Sequence, residues 1–313
     1  VDAGRAKEVA VPFSQVERRA GLTEREFIQE YLRQRRPVVV TDGMKDWAAR
    51  GKWTPEYLAG LVGELRVPLQ GSGFDLLAWM RFADYVEQLR VYEEGHLDGS
   101  QQEVPYLRWS YEDGGFTETL MQRVHGDWAR PYFLPERFYL NPPELRSDPT
   151  VLRYPAFGIY VSPRSAVTRL HADEGITNAV LCQVYGRKRA FLMAPEHAHL
   201  FPDLKAWKAE PLGSPRVGEV YRGAPVWDVN LEPGDMLFIP ACWLHEVYTL
   251  STSVSLTYNF AHVSEFARYL PYVLHRVGTG LVEQVPRPGL RQPLQRFLEG
   301  YAKVGRRLDL DGF

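Results

Sequence analysis

Thiols are scarce in this chain of 313 residues: the only cysteines are Cys182 and Cys242, far apart and in no Cys-x-x-Cys pair. That excludes a disulfide framework, and a cytoplasmic location is expected. Cys242 stands three residues before His245, but no second pair completes a structural zinc site. No run of about 18 apolar residues occurs, so no membrane span is expected. A large excess of charge of one sign is missing too. Thirty-seven Lys and Arg face 39 Asp and Glu, a formal net charge of −2, which gives no broad electrostatic reason to expect a nucleic-acid partner. Residues 1–18 lack the apolar central segment of a secretory signal. The chain does not begin with Met, so a removed leader stays open.

What is present describes a globular chain, with 45% hydrophobic and 24% charged residues. There is no internal repeat. The first part alternates helix and strand signals. Thr23 and Glu26 have capping-box spacing ahead of Phe27, Tyr31 and Leu32, which predicts a helix from about Glu24 to Arg35. Pro37 to Thr41 is β-branched and predicts a buried strand. Thr54-Pro55-Glu56 starts a second helix that Gly63 can stop, and Arg81 to Arg90 and Thr117 to Val124 also have helical character.

From Tyr154 to Phe260 short apolar runs are punctuated by Gly, Pro and Asp. Strands are predicted at Phe157 to Val161, Val167 to His171, Ala179 to Val184, Arg189 to Met193, Val226 to Asn230, Met236 to Ile239, His245 to Leu250 and Val254 to Phe260. Such spacing indicates a sandwich or barrel. The interval from Pro195 to Ala224 is expected to be an inserted loop with a short helix. Beyond His262, Phe266, Tyr269, Leu270 and Val273, then Leu290 to Tyr301, follow a helical period. These helices can dock on the core or form a homodimer contact. The expected organisation is an N-terminal α/β region at 1–153, a catalytic core at 154–262 and a helical region at 263–313.

Within the core, Thr168-Arg-Leu-His171-Ala-Asp173 places a histidine and an aspartate two residues apart. At a strand end both face the same side. His245 follows a turn at Glu232-Pro-Gly-Asp235 and an apolar strand ending at Pro240. Each residue alone reads better as an ordinary hydrogen-bonded histidine or a turn aspartate than as a ligand. Together, two imidazoles and one carboxylate form the ligand set of a non-haem Fe(II) site with open positions. His96, His125, His197, His199, His262 and His275 have no such partners.

These motifs, with Gln183-Val-Tyr-Gly186-Arg-Lys188-Arg, Trp243-Leu-His245 and Leu256-Thr-Tyr-Asn259-Phe, resemble the JmjC (cupin-like) dioxygenases. Within that family the likeness is to the small hydroxylases, such as the asparaginyl hydroxylase that inhibits hypoxia-inducible factor. The segment from Arg36 to Leu58 resembles their entry region. The resemblance implies a mainly β fold with helical additions: a double-stranded β-helix, or jelly-roll cupin barrel, with N-terminal α/β support and C-terminal helices. It implies Fe(II) and 2-oxoglutarate, with O2 as oxidant and His171, Asp173 and His245 holding the metal. Lys188 and the Thr168 hydroxyl would hold the far carboxylate of 2-oxoglutarate, and Asn259 would line its pocket. Where many members carry an asparagine this chain has Thr177, with Asn178 one position later.

The function implied is hydroxylation of a carbon of a protein or peptide side chain, with succinate and CO2 as coproducts. A free amino acid or small natural product is the alternative substrate. A non-oxidative cupin-type metal isomerase or binding protein is the alternative function, and Lys188 discriminates against it. Trp79, Tyr106, Trp109, Tyr160, Trp227 and Trp243 are candidate lining aromatics, although core packing is their default.

Overall fold

Two short edge strands, β1 (Phe13–Gln15) and β2 (Glu17–Arg19), lead into α1 (Glu24–Glu26) and a π-helical stretch (Phe27–Leu32). The structure is a computed structural model that describes residues 13–94, 104–108, 114–140, 156–173, 176–201 and 210–266, with Pro293 and Arg296. The capping box closes as the sequence indicates: Glu26 N–H donates to Thr23 Oγ1 at 3.2 Å, and Thr23 N–H donates to the Glu26 carboxylate at 2.8 Å. The helix then widens. Arg33 N–H donates to Ile28 O, five residues back. Spacings of four and five residues thereby bring buried Phe27, Tyr31 and Leu32 to one face.

Next come β3 (Val38–Val40), α2 (Ala49–Lys52), α3 (Pro55–Val62), β4 (Arg66–Gln70), β5 (Leu76–Arg81) and α4 (Phe82–Glu93). Thr54 caps α3 by accepting from Tyr57 N–H, and Gly63 ends it. β6 (Tyr106–Leu107), α5 (Phe116–Arg123) and β7 (Tyr139–Leu140) complete the N-terminal part. The eight strands expected from residue 157 onward all form, with ends within two residues of expectation. They are β8 (Ala156–Ser162), β9 (Val167–His171), β10 (Asn178–Tyr185), β11 (Lys188–Met193), β12 (Val226–Leu231), β13 (Met236–Ile239), β14 (Leu244–Thr249) and β15 (Ser253–His262). Between β11 and β12 lie a 3-10 turn (Pro195–Leu200) and the short α6 (Val217–Val220).

The strands form two sheets facing each other, as in a jelly roll. One has the order β1-β12-β11-β14-β9. The other has the order β2-β3-β13-β10-β15-β8-β6-β4-β5, with β7 attached to β15. Strands from the N-terminal part therefore extend both core sheets, β1 the smaller and the others the larger. Six of them, β1, β2, β4, β5, β6 and β7, were not legible as strands; β4 carries Pro68 at its centre, which argues against a strand in the sequence. β1 and β2 have three residues each with mostly exposed side chains, β6 and β7 two each, and β5 is largely exposed at a sheet edge.

Alternation along each core strand feeds different layers. Leu181, Ala190, Leu192, Leu237, Ile239 and Val247 meet between the sheets. Val180, Cys182, Val184, Leu256 and Phe260 face the opposite way, onto α3, α4 and α5. On the outer face of the smaller sheet Phe191, Met193 and Leu244 pack beneath Leu212, Val217 and Tyr221 of the insertion. Burial on both sides leaves β10 with the apolar run Ala179–Cys182, flanked by buried Asn178 and Gln183. The helical pattern expected beyond residue 266, with its homodimer contact, lies outside the described residues. No helix among the described residues is long and apolar enough to cross a membrane.

Candidate metal centre and its cavity

Antiparallel pairing of β9 with β14 puts His171 and His245 directly opposite each other, their ring centroids 4.1 Å apart. Asp173 lies just past the end of β9, with Oδ1 3.8 Å from His171 Nε2. Ala172 points away into the outer core, as period-2 alternation requires. One donor atom from each of the three residues lies within 4.8 Å of the others, a grouping able to hold a metal ion.

Main-chain geometry fixes the imidazoles. His171 Nδ1 lies 2.8 Å from Arg169 O, and His245 Nδ1 lies 3.0 Å from Trp243 O. A carbonyl only accepts, so each Nδ1 carries the proton and each Nε2 presents a lone pair. Burial, then the neighbouring His245 and Arg108, push the His171 pKa well below its ordinary value. The neutral ligand form is thus present without a metal to impose it. Asp173 supplies the only negative charge among the described lining residues.

The turn that presents His245 is itself clamped. Asn178 Oδ1 accepts from Ala241 N–H at 2.9 Å, and its amide donates to Phe260 O and to Glu265. Asn178 thereby acts as a positioning residue for this turn, and its side chain is used up away from the cavity.

A cavity runs between the sheets from the triad. Thr168, Lys188, Asn259, Tyr160, Thr257 and Arg108 line it, with Ala179, Leu181, Ile239 and Val247 as apolar wall. The expected cosubstrate residues Thr168, Lys188 and Asn259 therefore all face the space that the metal triad opens into. Lys188 pairs with Thr249 of β14, four residues from the row where Leu192 faces His245. At about 3.3 Å per residue that separates the two rows by about 13 Å, most of which a lysine stem and a five-carbon diacid can span.

Lys188 is 4% exposed, and no carboxylate pairs with it among the described residues. Burial pushes its pKa down to about 7. Arg189, the next residue, faces outward and makes a two-pronged ion pair with Asp228 at 2.8 Å. Of two adjacent cations, the inward one lacks an anion. A buried cation of this kind is stable only when an anion joins it. The turn before it requires glycine: Gly186 has φ +69°, and a Cβ there would come 2.0 Å from Thr252 O.

Thr168 Oγ1 lies 2.9 Å from the hydroxyl of buried Tyr106, which orients it. Among the other aromatics, Tyr160 lies beneath Lys188 Nζ at 5.7 Å, whereas Trp227 and Trp243 pack on each other. Trp79 is exposed on the edge strand β5, and Trp109 lies outside the described residues. Two elements had no sequence signal. Arg108 lines the cavity, and Phe74 packs its ring on His171 at 4.9 Å.

A family model described as a cupin-like domain matches residues 23–266. Similar proteins include the lysine-specific demethylase JMJ30 of Arabidopsis thaliana, 24% identical over 263 residues, covering 80% of this chain and 56% of that protein. Another is the tRNA wybutosine-synthesizing protein 5 of Homo sapiens, 26% identical over 271 residues, covering 79% of this chain and 78% of that one. A third is the 2-oxoglutarate and iron-dependent oxygenase JMJD4 of Mus musculus, 22% identical over 264 residues, covering 76% and 58%. The chain spans just over half the length of the two Arabidopsis demethylases it matches.

Proposed function

The chain belongs to the cupin-like domain family, and from that premise we propose that it is an Fe(II)- and 2-oxoglutarate-dependent dioxygenase that hydroxylates a carbon of a protein or peptide side chain. The observation that carries this reading is the pairing, in one cavity, of a His-Asp-His triad with an inward lysine that has no anionic partner among the described residues. A metal isomerase or binding protein has no use for that lysine.

Bound Fe(II) and 2-oxoglutarate supply the oxidising chemistry, in which O2 and the cosubstrate become succinate and CO2 while a C–H bond becomes C–OH. The protein's part is positional. His171 and His245 offer Nε2 lone pairs, and Asp173 offsets part of the ion's charge. Lys188 pairs with the far carboxylate. Thr168, oriented by Tyr106, donates its hydroxyl to the same group, and Asn259 offers an amide along the pocket. The apolar wall excludes water, and no separate protein acid or base is required.

Fe(II)- and O2-dependent conversion of 2-oxoglutarate to succinate, stimulated by peptides, tests the reading; no succinate under any substrate would overturn it. A substrate carried on tRNA is a second reading, favoured by the match over 78% of the wybutosine-synthesizing relative. Stimulation of succinate formation by tRNA and not by peptides would select it.

A further inference from the structure

The cavity holds more positive charge than the cosubstrate can neutralise. A divalent ion, Lys188 and Arg108 bring four positive charges, Asp173 brings one negative, and 2-oxoglutarate brings two. One positive charge is left over. No other charged side chain lines the cavity among the described residues. Lys188 is taken at the inner end, so the unmatched cation is Arg108.

Arg108 is built into place. Its guanidinium lies over the Phe74 ring, 3.7 Å from the centroid, and that ring packs edge-on against His171. Phe74 adopts φ +72°, a left-handed conformation that is strained for a bulky residue. The loop carrying Phe74 is tied to the metal strand, because Arg169 N–H donates to Ser72 O at 3.1 Å. Stacking on an aromatic face holds a guanidinium while leaving its edge free to bond. Arg108 Nε is buried with no hydrogen-bond partner, and no carboxylate pairs with it among the described residues.

We propose that Arg108 is the specificity-determining residue of the substrate site and that it binds a carboxylate, so that the substrate is an acidic side chain presented beside the metal. A planar fork on a fixed platform matches a carboxylate through two parallel bonds. An amide of the same shape offers one acceptor and one clashing donor pair, which is the basis of discrimination. This inference rests on the oxygenase reading.

The test uses protein loaded anaerobically with Mn(II) and 2-oxoglutarate. N-acetyl-aspartate amide and N-acetyl-glutamate amide are titrated against their asparagine and glutamine counterparts, and broadening of ligand NMR lines by the paramagnetic ion reports closeness to the metal. The acids are expected to broaden at concentrations at least about tenfold lower than the amides. Arg108→Gln is expected to erase that preference and Arg108→Lys to retain part of it, with 2-oxoglutarate binding intact in both.

Equal broadening by acids and amides in the wild type, or an unchanged preference in Arg108→Gln, would overturn the proposal. So would loss of 2-oxoglutarate binding in Arg108→Gln, which would assign the residue to the cosubstrate. Failure of the wild type to bind 2-oxoglutarate at all would instead bring down the oxygenase reading, and this inference with it.

Discussion

The two ends of the cavity are prepared in opposite ways. At the metal end burial favours the neutral form of His171, and the Nδ1 atoms of both imidazoles are spent on the carbonyls of Arg169 and Trp243, so the ligand atoms are aimed before any ion arrives. At the inner end Lys188 is desolvated and pairs with no anion among the described residues, a state that disfavours its charge until a ligand brings one. One end is preorganised by main chain. The other is completed by the ligand. A site made this way can select a ligand with a chelating head and an anionic tail.

Four changes break or sharpen that contrast. The largest effect belongs to the metal end: Asp173→Ala is expected to lower Fe(II)-dependent succinate formation by at least about 100-fold, measured alongside Mn(II) binding by calorimetry. Loss of activity with metal affinity unchanged would contradict its role as a ligand. At the inner end Lys188→Met is expected to weaken 2-oxoglutarate binding about 100-fold, in the range for a desolvated charge pair losing one member. The same change should stabilise the ligand-free protein by about 1 kcal/mol or more, since an unpaired buried cation is removed. Thermal melting without ligand checks that sign.

A smaller effect follows from pH. The free protein holds the Lys188 proton less tightly than the unfolded chain does, with a pKa of about 7 against the ordinary 10.5. Between those values the unfolded chain binds more protons, so the stability of the ligand-free protein rises with pH across that window. Binding of the dianion favours protonated lysine. Affinity for 2-oxoglutarate should therefore fall as pH rises from about 7 to 9, by at most about tenfold per unit, and the dependence should be absent in Lys188→Met. A flat profile in the wild type would mean that the lysine keeps its charge in the free protein. Smallest is Tyr106→Phe, which frees the Thr168 hydroxyl and should weaken 2-oxoglutarate by no more than about tenfold, the worth of one hydrogen bond.

The same contrast explains what the sequence could reveal. The eight core strands were legible because short segments rich in apolar and β-branched residues stand between glycine, proline and aspartate turns, although only β13 is apolar throughout. The metal ligands were legible because strand periodicity fixes His171 and Asp173 on one side, and a recognisable turn and strand precede His245. Lys188 sits in Gly-Arg-Lys-Arg, which alone reads as surface; only the family resemblance pointed it inward, and alternation with Arg189 gives the physical reason. Asn178, one position off the family's asparagine, was a doubtful pocket residue in the sequence, and the hydrogen bond from Ala241, 63 positions away, makes it a clamp on the His245 turn. Arg108 could not be read at all. Its position depends on Phe74, in the loop between β4 and β5, adopting a backbone conformation that no local motif announces.

The central claim is that one molecule of 2-oxoglutarate touches both ends of this cavity at once. Anaerobic calorimetry of 2-oxoglutarate binding, with and without Fe(II), on the wild type, Asp173→Ala, Lys188→Met and the double variant tests it most directly. Tight binding is expected only when the ion and Lys188 are both present, with a double variant no weaker than the weaker single. Binding that ignores the metal, or that survives Lys188→Met unchanged, would contradict the account.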